Sequence, residues 1–175
     1  MTDTARRYEF NWGLLGDIEA GRPSLGPMMR IEVYRLMQFS LRDAIERRCG
    51  TQDTDLIFYE AGRLAGIEFY RNVLGPSKKF ETFVGELQRV MREMGIGVLA
   101  IEKADLAAGQ LTLTVSEDLD CSGLPKLDSA ICVFDEGFIA ALLESFSGRR
   151  FRVDEIDCWS TGARTCRFQA QAIEG

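Results

Sequence analysis

The sequence predicts an α+β fold, an antiparallel sheet covered by helices, and three observations predict it. Helical periodicity fills residues 28–95. The apolar period then shortens to two, first after Gly95 and again after Gly148. The elements also come in runs, helices then a hairpin, one helix then a second hairpin, without the β-α-β alternation of a parallel sheet. A length of 175 residues suits one core. The expected organisation is a single domain over 1–175, with an N-terminal strand and loop part (1–27), a helical part (28–95) and a sheet part (96–175).

Residues 8–21 are expected as a short irregular strand region ending in a turn, and G-R-P-S-L-G-P as a loop. A helix is expected from Met28 to about Arg48, with Met29, Val33, Leu36, Met37, Leu41, Ala44 and Ile45 on one stripe and Gly50 as the stop. A second runs from Thr54 or Asp55, an N-cap choice, to Leu74 before Gly75-Pro76. Gly62 and Gly66 lie four apart on it. Each costs about 1 kcal/mol against alanine in a helix, so the pair implies a close backbone approach. Packing inside the domain and a helix–helix dimer contact both fit.

The third helix has the clearest pattern. Phe80, Phe83, Val84, Leu87, Val90, Met91 and Met94 share one face, and Gly95 closes it. Val98–Glu102 and the Leu111, Leu113, Val115 alternation then form a hairpin around A-D-L-A-A-G-Q. A fourth helix starts near Cys132 and carries Phe138, Ile139, Leu142, Leu143 and Phe146 to Gly148. Residues 150–157 and 166–172 form the last two strands, around a Gly- and Thr-containing turn at 158–165.

Composition removes several functions. With 21 basic and 27 acidic residues the formal charge is −6, which argues against nucleic acid or an anionic membrane surface as partner. No apolar run reaches the ~20 residues of a bilayer span. No h-region follows M-T-D-T-A-R-R, so a cytoplasmic, reducing address is expected. Histidine is absent, which removes the commonest general base and any His metal ligand and weakens the case for an enzyme.

The chemistry concentrates in Cys132, Glu155, Cys158 and Cys166, a C-x22-E-x2-C-x7-C pattern. Three thiolates and a carboxylate make an acceptable tetrahedral set for zinc. A hairpin can return Cys166 beside Cys158, and Cys132 at a helix start gains from the helix dipole as a thiolate. Zn²⁺ with this set carries −2, which Arg149, Arg150, Arg152, Arg164 and Arg167 would offset. Two other readings remain open: cysteines as small buried hydrophobes, and a Cys158–Cys166 hairpin disulfide. Cys49 and Cys121 fall outside the set as spare thiols.

The run from Cys132 to Phe168, with Asp-Glu-Gly at the helix start, E-x2-C, a glycine turn and C-R-F, resembles the 4-vinyl reductase domain family. That family includes predicted hydrocarbon-binding proteins, sensor domains of phenol- and aromatic-responsive activators, and a small protein of bacteriochlorophyll synthesis. The resemblance implies an architecture shared with a Golgi-transport subunit and the haem–nitric-oxide-binding domain. It also implies a closed structural zinc site at Cys132, Glu155, Cys158 and Cys166. The chain departs from the phenol sensors in lacking the pocket histidine that holds the phenolic hydroxyl, so phenol sensing does not carry over. The regulators' AAA+ and DNA-binding domains are absent as well, so output is expected through a separate signalling or regulator protein.

The expected function is a sensor or carrier module for a hydrophobic or aromatic small molecule, acting as a homodimer. Its pocket, between helices and sheet, is expected to be lined by Phe83, Leu87, Leu111, Leu113, Leu142, Phe146, Val153 and Trp159. Two alternatives are a tetrapyrrole-handling accessory protein and a ligand-free dimeric scaffold. No G-x-G-x-x-G opens a helix, which argues against a nucleotide-dependent reductase.

Overall fold

The structure, a computed structural model, describes residues 7–76 and 79–173. The opening residues 1–6 of the expected N-terminal part, together with 77–78 and 174–175, lie outside the described residues. Residues 8–21 differ from expectation, because no strand forms there. A 3₁₀ turn at Trp12–Leu15 precedes a four-residue helical turn, α1 (Ile18–Gly21). Asp17 decides this locally, since its carboxylate caps α1 by accepting from Ala20 N at 2.9 Å. The segment docks through Trp12 N, which donates to Glu68 Oε2 at 2.7 Å.

Helix α2 (Ile31–Cys49) starts three residues later than expected and stops at Gly50, whose φ of 79° requires glycine. Its apolar stripe faces outward. Val33, Leu36, Met37 and Leu41 are exposed, whereas Tyr34, Arg35, Gln38 and Arg42 turn inward. The reason is polar: Tyr34 Oη and Gln38 Nε2 donate to Asp120 at 2.7 and 2.8 Å, and Arg35 donates to the carbonyls of Asp118, Leu119 and Ser122. The buried carboxylate and loop carbonyls have no other side-chain donors of this reach, so they set the helix's roll.

Helix α3 (Thr51–Phe69) runs into a π-helical turn at Tyr70–Leu74, and Gly75 ends it at a φ of 68°. Helix α4 (Phe80–Glu93) buries Phe83, Leu87, Val90 and Met91, the face its period marks. Strands β1 (Val98–Asp105) and β2 (Gln110–Ser116) form the first hairpin. Helix α5 (Val133–Ser147) buries a continuous run from Gly137 to Leu143. A helix apolar on most sides must be covered on most sides. The sheet covers one side and α3 another. Strands β3 (Arg150–Asp157) and β4 (Cys166–Ile173) flank a 3₁₀ turn at Trp159–Thr161.

The sheet is antiparallel in the order β1-β2-β4-β3, as the run of elements implies. Leu113 stands opposite Phe168, and Val115 opposite Cys166. Val153 stands opposite Ala170, and Glu155 opposite Phe168 before a bulge. These residues face the helices and make the core.

Gly62 and Gly66 pack inside the chain, against α5. A Cβ on Gly62 would lie 2.0 Å from Phe134 O, and one on Gly66 would lie 2.6 Å from Phe138 O. The contact is reciprocal, because a Cβ on Gly137 would meet Tyr59 O at 2.0 Å. Arg63 tightens the crossing with two bonds to Glu144, at 3.0 and 2.7 Å. Among the described residues, no helix is long and apolar enough to cross a membrane.

Candidate metal centre and adjoining cavity

Four elements bring four sulfurs together. Cys132 is the N-cap of α5, Cys158 precedes the 3₁₀ turn after β3, Cys166 opens β4, and Cys121 comes from the loop after β2. All four are fully buried and none is in a disulfide. Their Sγ atoms lie within 4.8 Å of one another, an arrangement that could hold a metal ion. Cys132 Sγ is 3.7 Å from Cys158 Sγ and 3.9 Å from Cys166 Sγ, and Cys121 Sγ is 3.0 Å from Cys166 Sγ. A tetrahedron with Zn–S bonds of about 2.3 Å has edges of about 3.8 Å, so small shifts fit the donors to such an ion. Four soft sulfur donors suit Zn²⁺ and exclude Mg²⁺ or Ca²⁺.

Cys121 is therefore no spare thiol. Asp118 Oδ1 accepts from the backbone N–H groups of Asp120 and Cys121 at 2.8 and 3.0 Å, folding the loop so that the thiol points inward. The sequence holds one signal of this, an Asp three residues before the Cys. The partner was hidden until the register of β2 on β4 placed Cys166 next to that loop. Cys49 is exposed and stands apart.

Glu155 borders the cluster. Its Oε2 accepts from Cys132 N at 3.3 Å, while Oε1 is buried without a partner. Burial, and then the charge of Cys158, push its carboxyl up to about 8. Cys158 moves the other way, because Cys121, Cys132, Cys166 and Ser160 all donate toward its sulfur and favour the thiolate.

The expected basic surround is not there. Arg152 and Arg167 alternate with buried neighbours along β3 and β4, so strand periodicity turns them to the outer face. Arg167 pairs with Glu102 at 2.8 Å and with Asp157, Arg152 pairs with Asp154, and Arg164 stacks over Trp159. The ionisable groups near the sulfurs are carboxyls instead. Burial, then Asp120, raises Asp118 to about 6. Burial, then Asp118 and Asp120, holds Asp135 well above the ordinary range.

Beside the cluster lies a cavity of about 40 Å³, between α4, α5 and the helix-facing side of β1 and β2. Phe83, Leu87, Leu111, Leu113 and Leu142 line it, with Met91, Leu99 and Phe138. The remaining pocket candidates lie elsewhere. Phe146 stacks on Phe83 at 4.6 Å and lines a neighbouring groove with Phe80 and Arg149. Val153 is buried in the sheet core. Trp159 donates Nε1–H to Leu124 O at 3.1 Å, pinning the Cys121 loop to the Cys158 turn. Missed by pattern were Asp118 and Asp135, the two polar residues in the lining. Asp118 sits in a loop without periodicity, and Asp135 reads as an ordinary first-turn acid.

Comparison with known proteins follows this geometry. The family model of the V-4-R (vinyl-4-reductase) domain matches residues 111–172. An uncharacterized protein of Methanocaldococcus jannaschii is 23% identical over 86% of this chain and 82% of its own length. The fold is similar to that of the phenol-responsive sensory domain of the transcription activator PoxR, solved with phenol (TM-score 0.64, 13% identity, 83% of this chain and 76% of that one). It is also similar to a vinyl-4-reductase family protein of M. jannaschii (TM-score 0.55, 18% identity, 86% and 85%). A trafficking protein particle complex subunit 3 of Naegleria fowleri, covalently bound to palmitic acid, shares it too (TM-score 0.66, 12% identity, 82% and 95%). At such identities the likeness establishes a common fold. This chain thus carries a vinyl-4-reductase domain over residues 111–172, the span that contains all four clustered sulfurs.

Proposed function

We propose that the protein is a ligand-binding sensor or carrier module for a hydrophobic or aromatic small molecule, stabilised by a structural zinc ion. One observation carries this reading: an apolar cavity lies against the sulfur cluster, with Phe83, Leu87, Leu111, Leu113 and Leu142 in its wall. The fold shared with a phenol-binding sensory domain supports it. At about 40 Å³ the cavity holds one or two waters, well short of the ~150 Å³ cavity that admits benzene. A ligand must therefore part α4 and α5 from the sheet, and that displacement is the signal passed outward.

Cys132, Cys158 and Cys166 supply three zinc ligands. The fourth donor is either Glu155, by the spacing pattern, or Cys121, by proximity. The sulfur distances favour Cys121, leaving Glu155 to hold Cys132 N–H. With four thiolates the ion has no open position and does no chemistry. It ties the N-terminus of α5, the Cys158 turn and β4 to the Cys121 loop, and so fixes one wall of the cavity.

The whole chain acts as one domain. The exposed stripe of α2, continued by Met28 and Met29, supports a homodimer as the signalling unit. Readout then passes to a separate signalling or regulator protein. Native mass spectrometry of the protein as purified tests this reading. The expected result is one zinc per chain with a hydrophobic adduct. A metal-free chain that takes up no apolar compound overturns it.

A further inference from the structure

The cavity is apolar except at one end, where Asp118 and Asp135 reach it from the β2–α5 loop and the first turn of α5. The carboxyls near this end differ in what they bind. Asp120 accepts from Tyr34 and Gln38 of α2. Asp118 is nine-tenths buried or more, and its Oδ1 accepts from two backbone N–H groups. Asp135 is only half-buried as a residue, yet its Oδ2 is sealed from solvent and has no partner. No lysine or arginine lines the cavity. Arg35, the guanidinium of α2 that reaches this loop, spends its donors on backbone carbonyls.

A sealed carboxylate oxygen without a donor is costly, and native proteins rarely leave one unless something binds there. The missing partner must donate hydrogen bonds, must fit beside hydrocarbon, and meets only acidic groups at this end. A cationic head satisfies all three conditions, and a charge-assisted bond in a dry site is the strong kind. We propose that the cavity takes a small apolar amine, its ammonium donating to Asp135 Oδ2 beside Asp118 while its hydrocarbon body lies among Leu87, Leu99, Leu113 and Leu142. This rests on the ligand-binding reading above and adds the ligand's charge and polarity. It also gives the chain, which has no histidine, a different polar anchor at the head of its cavity.

Matched one-ring probes test it. Benzylamine, benzyl alcohol, toluene and benzoate are titrated into the purified, metal-loaded full-length protein by calorimetry. Benzylamine is expected to bind about tenfold or more tighter than toluene, and benzoate not at all. In Asp135→Asn the two affinities should converge to within about twofold, with toluene binding kept. Equal binding of toluene and benzylamine, or tighter binding of benzyl alcohol, overturns the amine and leaves the apolar pocket standing. Failure of every probe overturns both readings. Should Asp135→Asn lose its fold or zinc, seen by circular dichroism and metal analysis, the wild-type ranking alone decides.

Discussion

Cys121 Sγ lies 3.0 Å from Cys166 Sγ, closer than any other pair of sulfurs in the cluster for which a contact is formed. Two uncharged thiols gain little from such an approach, whereas two thiolates on one ion are held together by it. The loop from Asp118 to Cys121 is folded to make this contact, with Asp118 holding the Cys121 N–H. Glu155, on the strand next to β4, instead spends an oxygen on Cys132 N.

These positions separate the two candidates for the fourth zinc ligand. Cys121→Ser should lower zinc occupancy in competition with a chelator and cost about 3 kcal/mol, roughly 6–12 °C in Tm for a chain of this size. Glu155→Gln should retain the metal and lose less. Cys158→Ser should strip it altogether. Elemental analysis with differential scanning calorimetry checks all three, and the reverse order for Cys121 and Glu155 would return the carboxylate to the set.

The α3–α5 crossing is set by backbone touching backbone. Gly62→Ala and Gly137→Ala should each destabilise by about 2 kcal/mol or more, because a Cβ 2.0 Å from a carbonyl oxygen forces the helices apart. Gly85, on α4, has nothing within 4 Å of its would-be Cβ. Gly85→Ala should therefore stabilise, by up to about 1 kcal/mol of helix propensity. Chemical denaturation of the three variants reads the difference, and equal effects would mean that propensity alone matters.

Glu144 joins three elements, accepting two bonds from Arg63 of α3 and one from Phe151 N at the start of β3. Burial alone would raise its carboxyl, but the Arg63 and Phe151 donors outweigh it and hold the group below its usual 4.5. A lowered folded-state value means that the stabilisation is complete above the unfolded value and is lost as pH falls through the folded one. Glu144→Gln should cost about 1–2 kcal/mol at pH 7 and progressively less below pH 4.5. Denaturation midpoints for both proteins across this range give the measurement, and a constant gap would rule the linkage out.

Leu36 is 74% exposed on the outward stripe of α2. Leu36→Glu should leave the folding stability of the protomer within about 0.5 kcal/mol, since the side chain touches no core. If the stripe joins two copies, the same change should shift the mass in light scattering from dimer to monomer. A dimer that persists would place the interface on another face.

The sequence by itself determined the α+β class, the order of elements from α2 to β4, and the three cysteines at 132, 158 and 166. Those are local matters. A 3.6 or 2.0 period, a stopping glycine and a fixed spacing are written in consecutive residues. The tertiary structure decided what depends on residues far apart in sequence. It turned the apolar stripe of α2 outward, because a buried Asp120 and loop carbonyls needed the polar face. It drew Cys121 to the other sulfurs, because β2 pairs with β4 in a register that sets its loop over Cys166. It aligned Gly62 with Phe134 and left Asp135 without a donor at the end of an oily cavity. Hydrogen-bond satisfaction and close packing are properties of pairs, and a single sequence lists the members without saying which ones meet.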